Sequence, residues 1–521
     1  MKFRQYIVLF VLGLGATLLV SAVQSSPGYM DADYYYATGL QLARGEGFNE
    51  PFLWNYLDAP DGVPHPSHGY WLPLPSLLAL FGLSISGSLG FSGAKIGFII
   101  LAGLIPPLTA AIAYTLTERR PTAMLAGLFG AFSIFYLPYY ATTDTFGLYM
   151  FFGGLFFVIP SIIRKDLIRS IVFGIIAGLM YLTRADALIW LLIALAFASY
   201  KFGDTKHFTL NAPRIALVLI GFFAIVTPWL IRNQLAFGAL LSPGGIKAAW
   251  FTSYNQLFAF PADQFGFDQW WSSGIVEILR VRWWALGQNV QTALAVQGGI
   301  FLTPFIVIGA WRFRGDFGVR LGLLTWLVTY AVMTLVFPFA GARGGFFHSG
   351  AALQPLLWAL AAIGIDGFVI WGNRVRGWHT RQARTVFATA FTAFAVILSV
   401  FIVGQRVLGW GENGQAWDGG YEYHRQLNGV LFGLSISPDE IIMVNNPPGF
   451  YLASERPAIV IPDGDVDTSL LVAEKYQADY LILERNHPQG LNELYENPDQ
   501  NSALNLLWSD DQTHIFAITD H

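Results

Sequence analysis

The sequence predicts an all-α protein that crosses a membrane about eleven times and carries a small α/β domain at its C-terminal end. Three observations lead to this prediction. Of the 521 residues, 54% are hydrophobic and only 12% are charged, far from the balance of a soluble domain. The charged residues lie in short clusters between long apolar runs. From about residue 411 the composition becomes polar, so we divide the chain into residues 1–405 and residues 406–521.

Eleven apolar runs supply the predicted spans. A helix needs about 20 apolar residues to cross a bilayer, and the runs on either side of Thr183–Asp186 are shorter than that. Lys2 and Arg4 precede the first run and small residues follow it, so this segment also resembles a secretory signal, whose cleavage would leave Asp31 near the new N-terminus. The predicted spans are Tyr6–Val23, Ala94–Leu116, Thr122–Tyr140, Thr145–Ile163, Ser170–Leu182, Ala187–Tyr200, Ile215–Ile231, Gly298–Ala310, Leu321–Phe339, Ala351–Trp371 and Val386–Val403.

Loop charges predict a cytoplasmic N-terminus in a multi-pass protein of the plasma or inner membrane. Alternation from that start places the loops rich in Lys and Arg in the cytoplasm. The extracytoplasmic face receives two long loops, residues 30–93 and 232–297, and the chain after about residue 405. The predicted cytoplasmic loops are Arg119–Arg120, Arg164–Arg169, Lys201–Arg214, Arg312–Arg320 and Arg374–Arg384.

Composition excludes several classes of function. The net charge is −4 and no basic tract or zinc spacing is present, so we expect no nucleic-acid partner. Cysteine is absent, which rules out disulfides, thiolate metal sites and cysteine nucleophiles. No dimerisation motif stands out from the general abundance of glycine, and the oligomeric state stays open.

The C-terminal region has the pattern of a small α/β domain. Four apolar segments predict strands, and Thr468–Gln477 predicts a helix between them. The turns Pro447–Gly449 and Pro462–Gly464 follow two of the strands, but no glycine-rich phosphate loop is present. A lid, an acceptor-docking surface and a partner surface all remain open as roles. The predicted strands are Ile441–Val444, Ala458–Ile461, Tyr480–Leu483 and Ile515–Ile518.

Aromatic and ionisable residues accumulate on the predicted extracytoplasmic face. The aromatic residues of its two long loops indicate either an interfacial belt or the wall of a lipid-facing cleft. Ionisable groups at membrane depth must pair or line a wet cavity, although Arg184 and Asp186 can also simply cap a turn. The aromatic residues are Trp54, Tyr56, Tyr70, Trp71, Trp250, Trp270, Trp271, Trp283 and Trp284, and the ionisable ones are Asp31, Asp33, Asp144, Arg184, Asp186, Arg232, Arg343 and His348.

Several segments of that face form a recognisable series. Met30–Tyr36, with Asp31 at its second position, precedes a Leu-Ala-x-Gly stretch, and His65–Pro73 ends in Tyr-Trp-Leu-Pro. Thr142-Thr143-Asp144, Leu182–Asp186 and Thr227–Asn233 follow. In order and placement this series resembles the GT-C glycosyltransferases, particularly the protein O-mannosyltransferase and aminoarabinose-transferase branch, family 39.

The resemblance implies a GT-C-like fold, a glycosyltransferase activity and a catalytic role for Asp31. Many relatives have Asp-Glu where this chain has Asp31-Ala32, so the role of the second acid has moved to Asp33 or is lost, which leaves metal use open. The predicted substrate cleft includes His65, His68, Tyr70, Trp71, Arg184 and Asp186.

Glycosyl transfer outside the cytoplasm requires a particular donor and a base. Nucleotide sugars are absent there, so the implied donor is a polyprenyl-phosphate sugar. The leaving phosphate needs cationic partners, for which we predict Arg232 first, then Lys247 and Arg343, with His348 beside them. Membrane lipids and a protein, lipid or glycan acceptor are the other partners.

Asp31 is predicted to accept the proton of the acceptor hydroxyl, a contribution of ~100-fold or more, with inversion at the anomeric carbon. Asp33 or Asp144 is predicted to orient the acceptor. No cofactor is required, but an Asp31–Asp144 pair can hold a divalent metal.

Two other functions compete with this prediction. A lipid-linked sugar transporter or flippase also needs charges at membrane depth, although it usually shows internal repeats, and this sequence has no matching halves. A GT-C-like protein without catalytic activity that assembles with partners through its C-terminal region is the third possibility.

Overall fold

The computed structural model describes residues 1–200, 211–262, 265–411, 414, 416–501 and 503–518. Residues 201–210 of the predicted loop Lys201–Arg214 lie outside the described residues. The first 200 residues form nine α-helices and three two-residue strands. In chain order these are α1 (Phe3–Ser21), α2 (Met30–Arg44), β1 (Asn49–Glu50), β2 (Phe52–Leu53), β3 (His65–Pro66), α3 (Leu74–Ser86), α4 (Phe91–Ala94), α5 (Ile96–Thr117), α6 (Arg120–Ala131), α7 (Thr145–Ile162), α8 (Asp166–Thr183) and α9 (Leu188–Ser199).

The middle of the chain is also helical. Its helices are α10 (Ala212–Phe237), α11 (Pro243–Lys247), α12 (Phe267–Ser272), α13 (Ile275–Gln291), α14 (Thr303–Arg312), α15 (Phe317–Ala331), α16 (Pro338–Ala340), α17 (Phe346–Ala351), α18 (Gln354–Arg376) and α19 (Thr380–Arg406). The largest apolar core lies among α1, α5–α10, α15 and α18.

Within the described residues, eight helical segments are long and apolar enough to cross a membrane, and the protein is a multi-pass membrane protein. The predicted count of about eleven is therefore not confirmed in the described part of the chain. The predicted spans Thr122–Tyr140 and Gly298–Ala310 contain helices of only 12 and 10 residues, and Ala187–Tyr200 corresponds to a short apolar helix over Ala185–Ser199. The eight segments are Phe3–Ser21, Phe91–Thr117, Thr145–Ile162, Asp166–Thr183, Ala212–Phe237, Phe317–Val336, Gln354–Arg376 and Thr380–Arg406.

Irregular backbone explains two of the short helices. At the end of α6, Phe132 leaves the helical conformation, and the chain continues through turns around Pro138. Before α14, Gly299 and Ile300 both have positive φ values, which a continuous helix does not allow. Hydropathy alone does not show these breaks, because both stretches remain apolar.

The C-terminal region is a mixed sheet with helices, as predicted. Its strands form one six-stranded sheet in the order β2-β5-β4-β6-β8-β7, parallel from β2 to β6 and antiparallel beyond. All four predicted strands are present, and the strand at residues 504–509 was not predicted. The elements are α20 (Gly419–Gly433), β4 (Ile441–Val444), α21 (Pro447–Ser454), β5 (Ala458–Val460), α22 (Val466–Tyr476), β6 (Ala478–Glu484), α23 (Asn492–Glu496), β7 (Leu504–Ser509) and β8 (Thr513–Ile518).

The first long loop joins this sheet. Strand β2 pairs with β5 in parallel, with Phe52 opposite Ala458 and Leu53 opposite Ile459. Tyr56 also donates a hydrogen bond from its hydroxyl to the carbonyl oxygen of Val460. Residues about 400 positions apart are therefore part of one hydrogen-bonded unit.

Segments that loop charge assigns to the cytoplasm also meet in space. Asp366 accepts hydrogen bonds from Arg119 at 2.6 Å and from Arg384 at 2.7 Å. Asp166 pairs with both Arg169 and Arg214. Each carboxylate thus joins two of the predicted cytoplasmic segments at one end of the helices.

Candidate active site

Helix α2, in the first long loop, carries two aspartates on opposite faces. It starts directly after Tyr29 and ends at Gly45, whose φ of +86° ends the helix in a left-handed conformation that glycine adopts without strain. Asp31 and Asp33 are two positions apart, which corresponds to about 200° around an α-helix. The two carboxylates therefore face different parts of the protein.

Asp31 lies beside Asp144 and His348. One ligand atom from each of these three side chains lies within 4.8 Å of the others. Asp144 begins α7 and His348 is in α17, so three separate segments supply the group. We call Asp31, Asp144, His348 and the neighbouring Arg184 the Asp31 cluster.

Hydrogen bonds hold two members of this cluster in place. The carboxylate of Asp144 accepts from the hydroxyl of Tyr29 at 2.5 Å and from the backbone N–H of Thr145 at 2.5 Å. The imidazole Nδ1 of His348 lies 2.9 Å from Thr145 Oγ1, and its ring stacks on Phe146 at 4.0 Å. In the described part of the chain, the Asp31 carboxylate has no comparable side-chain partner.

Burial and charge set the protonation of the cluster. Burial raises the pKa of Asp31 to about 7, the Asp144 carboxylate acts in the same direction, and the Arg184 guanidinium opposes both. Burial lowers the pKa of His348 to about 4. The cluster therefore contains a carboxylate that binds protons more tightly than usual beside a neutral imidazole at neutral pH.

The donor set fits a divalent cation. Two carboxylates and a neutral imidazole are ligands that first-row divalent metals accept. Their spacing allows one ion to contact all three side chains. Within the group, His348 Nδ1 and Asp144 Oδ1 lie 3.6 Å apart.

Arg184 and Asp186 extend the cluster as an ion pair. The Nε atom of Arg184 donates to Asp186 Oδ1 at 2.9 Å, and Tyr149 donates to the other oxygen of Asp186 at 3.2 Å. Arg184 also reaches Ser349 Oγ at 3.4 Å, next to His348. This pair therefore does more than cap a turn, because it joins α7 and α17 around the cluster.

The aromatic residue Tyr254 is near Asp31 and near a second cation, Arg343. The pKa of Tyr254 is raised mainly by burial and also by the charge of Asp31, whereas the nearby Arg343 opposes this shift. The guanidinium of Arg343 lies 4.6 Å from the centre of the Tyr254 ring. Arg343 is exposed and lies beside Gly344, whose φ is +121°. Burial raises the pKa of Tyr70, and Tyr254 and the charge of Asp31 act in the same direction.

Arg232 lies in a different group of polar residues. Its guanidinium donates to the carbonyl oxygen of Phe48 at 3.1 Å and is surrounded by aromatic rings. Two acids, Glu50 and Asp58, are near enough to interact electrostatically with it. We call Glu50, Asp58, His65, His68 and Arg232 the Arg232 cluster.

The two histidines of the predicted substrate cleft belong to the Arg232 cluster. His65 Nε2 lies 2.9 Å from Asp58 Oδ2. His68 is completely buried, and its ring nitrogens lie 2.8 Å from Ser67 Oγ and 3.0 Å from Ser76 Oγ. His65 Nε2 and both ring nitrogens of His68 thus have partners from the same long loop.

The remaining predicted residues occupy other places. Trp71 stacks on Trp54 at 3.8 Å, and Trp54 and Tyr56 are 3% and 1% exposed, so those two lie inside the protein and not in an interfacial belt. Trp283, by contrast, is 76% exposed. Lys247 is half-buried at the end of α11, a helix that bonds to the first long loop through Gly244 N–H and Gly69 O.

Asp33 does not join the Asp31 cluster. Its carboxylate accepts a hydrogen bond from Asn446 Nδ2 at 2.9 Å, at the start of α21. Burial raises the pKa of Asp33 to about 7, and the bond from Asn446 opposes that shift.

No protein-family model and no curated protein sequence matches this chain. Solved structures do match its fold. The Archaeoglobus fulgidus oligosaccharyltransferase in the apo form aligns with a TM-score of 0.55 at 13% identity, over 93% of this chain and 70% of that one. ArnT from Cupriavidus metallidurans bound to undecaprenyl phosphate aligns with a TM-score of 0.54 at 12% identity, over 99% and 98%. Both are GT-C glycosyltransferases.

The chain has the GT-C fold. A third structure supports this: archaeal oligosaccharyltransferase AglB from Archaeoglobus fulgidus in complex with an inhibitory peptide and a dolichol-phosphate, with a TM-score of 0.53 at 13% identity over 95% of this chain and 70% of that one.

Sequence reasoning missed several residues around the site of this GT-C fold. Tyr29 donates to Asp144, the Tyr254 ring contacts the Arg343 guanidinium, and Ser349 contacts Arg184. Tyr29 could have been found, because it directly precedes the acidic helix. Tyr254 gave no signal, since its loop is rich in aromatic residues throughout.

Proposed function

We propose that this protein is a glycosyltransferase that moves a sugar from a polyprenyl-phosphate-linked donor to an acceptor on the extracytoplasmic side of the membrane. The Asp31 carboxylate is the main support for the proposal, because it is partly buried, has no side-chain hydrogen-bond partner among the described residues and faces Asp144 and His348. The GT-C fold and the polyprenyl phosphates named with ArnT and AglB are consistent with it.

In the proposed reaction, Asp31 acts as the general base. The acceptor oxygen attacks the anomeric carbon from the side opposite the phosphate, and its proton passes to the Asp31 carboxylate. The bond between the anomeric carbon and the phosphate oxygen breaks, and polyprenyl phosphate leaves with the electron pair. The product is inverted at the anomeric carbon. A carboxylate with a raised pKa is a stronger base for this step than an ordinary one.

Arg343 is our first choice for the donor phosphate. It is exposed and lies against the Tyr254 ring. The pKa of Tyr254 is raised by burial and by the charge of Asp31, so Arg343 is near the proposed base. Arg232 and Lys247 are weaker choices, because the Arg232 guanidinium already donates to the Phe48 carbonyl and is surrounded by aromatic rings, and Lys247 is half-buried at the end of α11. Charge-assisted hydrogen bonds to a leaving phosphate stabilise the developing negative charge.

Asp144, His348 and one carboxylate oxygen of Asp31 would hold a divalent cation, which leaves the other oxygen of Asp31 for the acceptor proton. Such an ion, when bound, supplies positive charge near the phosphate and the acceptor oxygen. Independently of it, Asp144 fixes the start of α7 and His348 keeps a neutral nitrogen beside the acceptor position. We propose that this face is extracytoplasmic, with the N-terminus in the cytoplasm.

The test is a transfer assay in sealed vesicles that contain the purified wild-type protein. Vesicles receive polyprenyl-phosphate donors with different labelled sugars, together with cell-envelope protein, lipid and glycan acceptors. Label covalently attached to an acceptor with inverted configuration is expected. Label that crosses the bilayer and stays on the polyprenyl phosphate would replace the proposal with the flippase function.

A further inference from the structure

Asp33 makes a contact that the proposed reaction does not use. It is 7% exposed, and its carboxylate accepts the hydrogen bond from Asn446 Nδ2. The same Asn446 is the N-cap of α21, where its Oδ1 accepts from the backbone N–H of Gly449 at 3.2 Å. One asparagine thus joins the capped end of α21 to the helix that carries Asp31.

The two helices are pressed together at this point. A Cβ atom built on Gly449 would lie 2.7 Å from Asp33 Oδ2 and 2.4 Å from Asn446 Nδ2. Such distances are shorter than real Cβ contacts allow. A side chain at position 449 would therefore displace the ends of the two side chains that form the Asp33–Asn446 hydrogen bond.

Other contacts continue along the same side of α2. Gln41 Nε2 donates to the Tyr451 hydroxyl at 2.6 Å, and Arg44 donates to that hydroxyl at 3.1 Å. Arg44 also pairs with Glu455. Pairing of β2 with β5 ties the chain beyond α2 to the same sheet. The C-terminal sheet region therefore contacts α2 from its first turn to its last.

Small rotations of α2 matter for the proposed chemistry. A carboxylate at the end of an aspartate side chain lies roughly 6 Å from the helix axis, so a rotation of about 10° moves it by about 1 Å. A displacement of about 1 Å can lower a catalytic rate by roughly 100-fold. Asp33 is on the other side of the helix from Asp31, where a fixed contact opposes such a rotation.

We propose that Asp33 is a positioning residue whose hydrogen bond to Asn446 fixes the rotation of α2 and so aims Asp31 at Asp144 and His348. This assignment rests on the proposed transferase function. It replaces the sequence-based prediction that Asp33 orients the acceptor, and it gives the C-terminal sheet region a role in turnover.

The experiment is a double-mutant cycle on sugar transfer, with Asp33→Ala, Asn446→Ala, the double variant and the exchanged pair Asp33→Asn/Asn446→Asp. The exchanged pair keeps both hydrogen bonds, because an aspartate at position 446 still caps α21 and accepts from the new amide. Glu455→Gln is the matched control, since it lies at the same interface but its side chain is 68% exposed.

Each single alanine variant is expected to lower kcat by about 10-fold or more while KM for donor and acceptor changes by less than about 2-fold. The double variant should be no slower than the slower single variant, and the exchanged pair should recover most of kcat. Glu455→Gln should keep wild-type kcat.

The assignment would be overturned if the kcat losses of the two single variants multiply in the double variant. It would also be overturned if the exchanged pair is as slow as the alanine variants. The assignment would also be overturned if kcat across the variants falls in step with their melting temperature. Absence of transfer by the wild type would instead remove the proposed function. Amide hydrogen exchange of residues 30–44 then decides the positioning: faster exchange in both alanine variants with recovery in the exchanged pair supports it, and unchanged exchange overturns it.

Discussion

The Asp31 cluster and the Arg232 cluster contain the same kinds of side chain but pair them differently. In the Arg232 cluster, Arg232 bonds to the Phe48 carbonyl, His65 to Asp58, and His68 to two serines, and among the charged groups of this cluster that the structure describes, only Glu50 leaves a buried oxygen, Oε2, without a hydrogen-bond partner. In the Asp31 cluster, two carboxylates lie within 4.8 Å of each other and Asp31 has no hydrogen-bonded side-chain partner among the described residues.

This difference separates a structural role from a chemical one. Paired groups lower the cost of burial and hold a loop in shape. Two neighbouring carboxylates without full pairing are costly for the fold, so their arrangement is better explained by what they bind. The comparison predicts that variants in the Asp31 cluster affect turnover and that variants in the Arg232 cluster affect stability.

Apart from replacement of Asp31 itself, the largest effect on transfer is expected from Asp144→Asn. The transfer rate should fall by about 100-fold or more, because the substitution removes the charge that faces Asp31 and His348. Asparagine still caps α7, so the melting temperature should change little. Asp316→Asn is the matched control, since Asp316 is the N-cap of α15 and its side chain accepts from the backbone N–H of Val319. Equal losses in the two variants would show that helix capping alone explains the result.

Removal of divalent cations should have the next largest effect. After treatment with a chelator, transfer should fall by about 10-fold or more and should return when Mn²⁺ is added. His348→Ala should weaken Mn²⁺ binding measured by electron paramagnetic resonance, whereas His65→Ala in the other cluster should not. Full transfer in the presence of chelator would contradict the cation assignment.

Arg343→Ala should raise the KM for the donor by about 10-fold, since one charge-assisted hydrogen bond contributes roughly 1.5–3 kcal/mol. Arg232→Ala should change that KM by less than about 3-fold. The measurement is donor titration at saturating acceptor. A larger rise in the donor KM for Arg232→Ala than for Arg343→Ala would assign the phosphate to Arg232 and would contradict the distinction between the two clusters.

The smallest effect on turnover is expected from His68→Ala. It removes two side-chain contacts from a fully buried position, so the free energy of unfolding should fall by about 1–3 kcal/mol. Thermal unfolding in detergent measures this loss. Transfer per folded molecule should stay within about 3-fold of wild type, and a loss of 100-fold without any loss of stability would place His68 in the chemistry.

Much of this architecture could be predicted from the sequence, because hydropathy and alternation report directly on membrane burial. Loop alternation placed Asp31, Asp144 and His348 on one face, and the structure brings the three together. Short apolar segments separated by turn residues predicted the four strands of the C-terminal sheet that the structure contains.

Other features depend on contacts that no local pattern reports. Strand β2 is two residues long, and only its partner β5, about 400 positions away, makes it a strand. The direction of Asp33 depends on where α2 begins and on Asn446, 413 positions away. The sequence predicts Arg232 first for the phosphate, but it does not show that Glu50 and Asp58, which belong to the other long loop, lie near this guanidinium.

The most direct test of the account compares Asp31→Asn with Glu50→Gln at equal levels of folded protein. Both substitutions replace a buried or partly buried carboxylate by its amide, one in each cluster. Sugar transfer is predicted to fall by ~100-fold or more in Asp31→Asn and to stay within about 3-fold of wild type in Glu50→Gln. Transfer by Asp31→Asn at the rate of Glu50→Gln would contradict the central claim that Asp31 is the base.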